Sequence, residues 1–311
     1  MIDPNRPRGE TPEPAAAAFR ADRAGGMRER VGFSLSRVGV VAVNTFTEAM
    51  RQKVFNFLLL FALALIASAS FFAQFSFSEQ LKFVKDFCLG ALSVFGTLIA
   101  IVGTAQLLPA ELENRTIYTV LAKPVRRFEF LLGKYLGSVL LVFLSVLMMS
   151  VMFAAALKFK ETRLVAEAAS QAASDTDVNL HDTVQKIRAE ALDMDIVKGI
   201  LLIFVKLGLL AAITLLFSTI STSMVFNVSV SFMAFFAGHL RGTAFELWGH
   251  HRVAMAILAI IPDLGAFNVT DDIILGNAVP WAHVGSVALY GFARLTVIVV
   301  AAHLIFARRE I

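Results

Sequence analysis

Six blocks of about twenty apolar residues, separated by polar segments, dominate this sequence. A helix rising about 1.5 Å per residue crosses a hydrocarbon layer of about 30 Å in one such block. No water reaches backbone N–H and C=O groups inside that layer, and a helix bonds them all within itself. The pattern predicts an all-α polytopic transmembrane helix bundle with spans at 54–73, 87–108, 135–157, 197–219, 222–240 and 283–307. A further apolar stretch, 253–261, is too short to cross and stops at Pro262, so it reads as a re-entrant or interfacial segment before the last span. Composition agrees: 17% of residues are charged, where a soluble domain carries about a quarter.

The formal charge of +4 would suggest nucleic acid in a soluble protein, but here the basic residues flank the spans, so no nucleic-acid partner is expected. Counted over alternating connecting segments, Lys and Arg number sixteen on one side and nine on the other, which predicts that both termini are cytoplasmic. Residues 1–26 carry Pro4, Pro7, Pro12 and Pro14 with no apolar core of signal-peptide type after them, and predict a disordered cytoplasmic tail. In 27–53, Val31, Leu35, Val38, Ala42, Phe46 and Ala49 recur at helical steps opposite Arg37, Asn44, Glu48 and Arg51. Two readings stand there: an amphipathic helix along the membrane surface, or an extension of the first span. Residues 158–195 are rich in acids yet keep helical grammar. Asp182 is a candidate cap, Gln185 follows three residues later, and Val184, Ile187, Ala191 and Met194 form a stripe, so an extracytoplasmic helical lobe is predicted.

The segment 109–134 holds the densest grammar. Pro109 suits a first helical turn, Glu111 and Glu113 complement the positive end of a helix, Lys123 complements the other end, and Pro124 stops it. Phe128, Leu131, Leu132 and Tyr135 then resume helical spacing into the third span. Arg115-Thr116, the run from Leu121 through Lys123-Pro124-Val125-Arg126-Arg127, and Phe130-Leu131-Leu132-Gly133-Lys134 together resemble the cytoplasmic loop of ABC transporter permeases of the ABC-2, or type-2 exporter, class. The usual glycine before that threonine is Arg115 here. The resemblance runs from about Val38 to the end and is nearest the branch that accompanies multi-copper enzyme maturation.

It implies a six-span permease domain over 54–311 in the plasma (inner) membrane, paired with a second permease copy and with cytoplasmic ABC ATPase subunits. It also implies that Glu111, Glu113, Arg115, Thr116, Lys123, Pro124, Arg126, Arg127 and Lys134 serve ATPase coupling. ATP and Mg would then sit on the partner subunit, because the chain has no G-x-x-x-x-G-K-[ST] loop; Gly133-Lys134 is followed by Tyr135. No cofactor is expected on this chain, and it is not expected to be an enzyme.

The predicted spans contain no Asp or Glu, which favours an external energy source over proton coupling. Lys206 in the fourth span and Arg294 in the sixth do sit deep within them. They read either as contacts along a substrate path for an anionic ligand or as snorkelling and structural cations. Cys88 is the only cysteine and excludes an intrachain disulfide, while His239, His250 and His251 lack the spacing of a metal site. Two rival functions remain open: a membrane enzyme acting on lipid, and an ATPase-coupled assembly factor that does not transport.

Overall fold

The computed structural model describes residues 34–76, 79–109, 126–174, 180–191, 193–248, 251, 255 and 260–308. Helix makes up 89% of the described residues and no strand occurs among them, so the fold is all-α. The helices are α1 (Leu35–Met50), α2 (Lys53–Phe72), α3 (Gln80–Ala105), α4 (Arg127–Ser174) and α5 (Leu180–Ala191), followed by α6 (Met194–Ile220), α7 (Met224–His239), α8 (Arg241–Trp248), α9 (Thr270–Leu275) and α10 (Trp281–Arg308). Among the described residues five helices are long and apolar enough to cross a membrane. The number is six if α7 and α8, bent by 56°, form one span.

The centre of the bundle is α6. Its most apolar window is 72% buried, against 28% for α2 and 22% for α10. Apolar residues on all sides of a helix demand neighbours on all sides or lipid, and here α3, α4, α7 and α10 supply them. Leu202, Leu207, Leu209 and Leu210 of α6 meet Leu89, Leu92 and Ile99 of α3 in one continuous core. Between helices in lipid the hydrophobic effect contributes little, so polar bonds and close approach set the arrangement. Ser218 Oγ and Asn227 Nδ2 both donate to the Ala105 carbonyl at 3.2 Å, which ties the end of α3 to the turn between α6 and α7.

Several boundaries differ from the sequence expectation. The third span was predicted at 135–157 with a separate lobe after it, but α4 runs unbroken for 48 residues and takes up the first part of that lobe. Among the described residues of the lobe, α5 is the separate helix. It begins before Asp182, which lies in the first turn and is not the cap. The second span begins at Gln80, seven residues before the expected 87. A break at Arg51 and Gln52 separates α1 from α2. Of the predicted stripe on α1, Val38, Ala42 and Ala49 are buried whereas Leu35 is exposed. The expected tail 1–26 and most of 253–261 lie outside the described residues.

Candidate functional site

Among the segment residues that the resemblance marks for coupling, Glu111, Glu113, Arg115, Thr116, Lys123 and Pro124 lie outside the described residues, while Arg126, Arg127 and Lys134 are described. What the structure defines is how both ends of this segment are held.

At the far end, Arg126 caps α4 and Glu129 occupies the third helical position. There a carboxylate can turn back to the cap N–H. Glu129 Oε2 accepts from Arg126 N at 3.2 Å, and Oε1 accepts from Ser34 N at 2.9 Å. Arg37 of α1 approaches the same carboxylate at 3.5 Å. With its side chain fully buried, Glu129 binds the start of α4 to the start of α1. Arg127 reaches across to α10, donating to the Ala307 carbonyl at 2.9 Å. Beside that bond Phe130 stacks on Phe306 with centroids 6.1 Å apart, and Phe128 meets His303 edge-on at 5.1 Å.

One turn on, Lys134 is 1% exposed and faces Glu48 of α1 at 3.6 Å. Gly133 and Gly137 flank it. A Cβ at Gly133 would stand 2.6 Å from Val41 Cβ, and one at Gly137 would stand 2.7 Å from the Ala42 carbonyl oxygen. Two glycines four residues apart thus let the backbones of α1 and α4 touch, the small-x-x-x-small mode of packing.

At the near end, the α3 terminus is fixed through the Ala105 carbonyl, and Gln106 donates to Gln52 in the break between α1 and α2. The segment between 109 and 126 is therefore strung between two anchored points. One touches α6, α7 and the α1–α2 break, and the other touches α1 and α10.

The two cations assigned to a substrate path contact different neighbours. Lys206, 4% exposed, donates to Ser93 Oγ of α3 at 2.7 Å, whereas Arg294 is half-buried over the Tyr290 ring of its own helix at 5.6 Å. Tyr290 in turn accepts from Asp263 N at 2.8 Å. His239 stacks on Phe235, and among the described residues no three His, Cys, Asp or Glu assemble as metal ligands.

Sequence reasoning missed a buried ion pair at the opposite end of α6. Asp195 and Lys198 bond each other; Val279 N donates to Asp195 Oδ2 at 3.1 Å, and Lys198 Nζ donates to the Val279 carbonyl at 2.8 Å. Lys198 also lies 5.0 Å over the Trp281 ring. The signal was present as an acid and a base three residues apart at a span edge, with Asp193 as the cap whose side chain accepts from Asp195 N. This latch holds the chain before α10 against the head of α6. A scan against protein-family models finds no match for the chain, and a search of curated proteins finds none either.

Proposed function

We propose that this chain is the membrane-spanning permease subunit of an ATP-binding-cassette exporter, driven by a separate cytoplasmic ATPase. The observation that carries the reading is the segment 109–126, which bears the coupling-loop motif and is strung between two anchored helix ends. A surface element passes motion inward only where its ends do not slip, and both ends here are tied to buried polar partners. In this reading the platform at Glu129, Arg127 and Lys134 receives the displacement, and α1, α4 and α10 move with it. Two copies of the chain and two ATPase subunits form the working unit in the inner membrane, with both termini cytoplasmic.

The test is affinity purification of the full chain from native membranes, with captured subunits scored for ATP hydrolysis and a nucleotide-binding loop. Glu113→Ala, Arg115→Ala and Arg126→Ala are expected to lower recovery of the ATPase about fivefold or more, while Lys186→Ala and Arg188→Ala in α5 leave it unchanged. Recovery of no ATPase, or equal losses from both sets, overturns the reading.

Lys206 and Arg294 belong to the substrate path in this reading, each held ready by a protein partner that an anionic ligand replaces. Lys206→Met and Arg294→Met are expected to reduce substrate-stimulated ATP hydrolysis while assembly persists. Unchanged stimulation in both returns them to a structural role.

A further inference from the structure

The last third of α2 and the middle of α4 flank an open cavity of about 520 Å³. One end is apolar, lined by Ala67, Phe71, Met152 and Ala155; the other is lined by Lys160 and Arg163. No Asp or Glu lines it among the described residues. Ser70 Oγ donates to the Ala156 carbonyl at 3.1 Å, which fixes the two helices against each other at the cavity floor.

The two cations differ from their neighbours. Lys158 is paired with Glu161 at 3.0 Å, but Lys160, only 4% exposed, makes no hydrogen bond or ion pair among the described residues. Arg163 lies over the Phe159 ring at 5.0 Å. Glu167 borders an adjoining groove with Arg163 and stays outside the cavity. Glu167 attracts Lys160 from outside the cavity, so an anion held between Lys160 and Arg163 would gain from both cations, and guanidinium and ammonium together suit a phosphate.

Depth decides which phosphate. The cavity begins about a turn and a half before the end of α2 and closes where α4 changes from Met152-Phe153-Ala154-Ala155-Ala156 to Lys158-Phe159-Lys160. That change from apolar to cationic matches the passage from acyl chains to headgroups. We infer that this cavity is a binding site for an anionic phospholipid, with its phosphate between Lys160 and Arg163 and one acyl chain lying between α2 and α4. The inference requires that the chain sits in a bilayer and is independent of the ATPase reading.

The experiment is native mass spectrometry of the full chain in detergent, titrated with phosphatidylglycerol or with phosphatidylcholine of the same acyl chains. Wild type is expected to prefer phosphatidylglycerol roughly tenfold or more. The double variant Lys160→Ala/Arg163→Ala loses the preference, Lys160→Arg/Arg163→Lys keeps it, and Lys53→Ala at the opposite end of α2 keeps it. Ala155→Trp fills the apolar end without changing charge and is expected to lose tight binding; it decides the matter should the double variant fail to fold. Equal affinity of wild type for the two lipids, or a preference that survives both the double variant and Ala155→Trp, overturns the inference. So does displacement of the lipid by inorganic phosphate with Ala155→Trp still binding, which would mark a bare anion site.

Discussion

Glu129→Ala is expected to be the most damaging single substitution at the platform, costing on the order of 3 kcal/mol and, under the proposed transporter reading, uncoupling the chain from its ATPase. The carboxylate is buried and accepts from two backbone N–H groups belonging to different helices. Alanine leaves both donors without their acceptor, and losing two hydrogen bonds to a buried charged acceptor costs more than removing one ion pair at the surface, even though Ser34 and Arg126 keep access to water. Arg37→Ala provides the comparison. It removes one partner that is 28% exposed and 3.5 Å away, and should cost only about 0–1 kcal/mol. Thermal unfolding in detergent measures the stability difference, and nucleotide-stimulated hydrolysis in the reconstituted complex measures coupling. Equal effects of the two substitutions would show that Glu129 serves charge neutralisation and not the joining of α1 to α4.

The second large effect is expected from Gly137→Val combined with Gly133→Val. At Gly137 a Cβ would stand 2.6 Å from Thr45 Cβ and 2.7 Å from the Ala42 carbonyl oxygen, and at Gly133 it would stand 3.0 Å from the Val38 carbonyl oxygen. Carbon atoms in contact prefer about 3.5–4.0 Å. Two of the obstructing atoms are backbone, so no rotamer change relieves the clash and α1 must move away from α4. Each substitution should cost about 1–3 kcal/mol, with the pair near the upper end because both act on one interface. Released from α4, α1 should be cut by trypsin at Arg37 about tenfold faster. Gly39→Ala is the control: nothing lies within 4 Å of its Cβ position, and a helical alanine there should be neutral or stabilising by up to about 1 kcal/mol. Unchanged proteolysis of the double variant would mean that the close approach does not hold α1 in place.

The spans were legible because apolar length is a property of the sequence alone. The first span was expected at 54–73 and is α2 at Lys53–Phe72; the last was expected at 283–307 and is α10 at Trp281–Arg308. The extent of α4 was not legible from hydropathy, because Lys158 marks where lipid should end and says nothing about where a helix should end. Beyond it, Leu164, Ala166, Glu167 and Ala168 are strong helix formers, and no glycine or proline interrupts the run to Ser174. Glu129 was passed over although a glutamate three residues after a cap position is a local signal. Its second partner, Ser34 N, is 95 residues away and comes from tertiary packing. Gly133 was read only as part of a family motif. Its spacing to Gly137 carried the packing information, but which helix would fill the groove was not written in it.

The uninterrupted length of α4 has a mechanical consequence. Forty-eight residues at 1.5 Å each make a rod of about 72 Å, more than twice the thickness of a hydrocarbon layer. Its contact with α1 at Gly133 and Gly137 lies close to one end, and its bond from Ser70 of α2 at Ala156 lies well past the middle, so about 27 Å of helix extends beyond the second hold toward Ser174. A tilt of about 5° about Ala156 would carry the far tip by about 2 Å, given the arm length from the helical rise. Held at two heights, the rod tilts only together with α1 and α2.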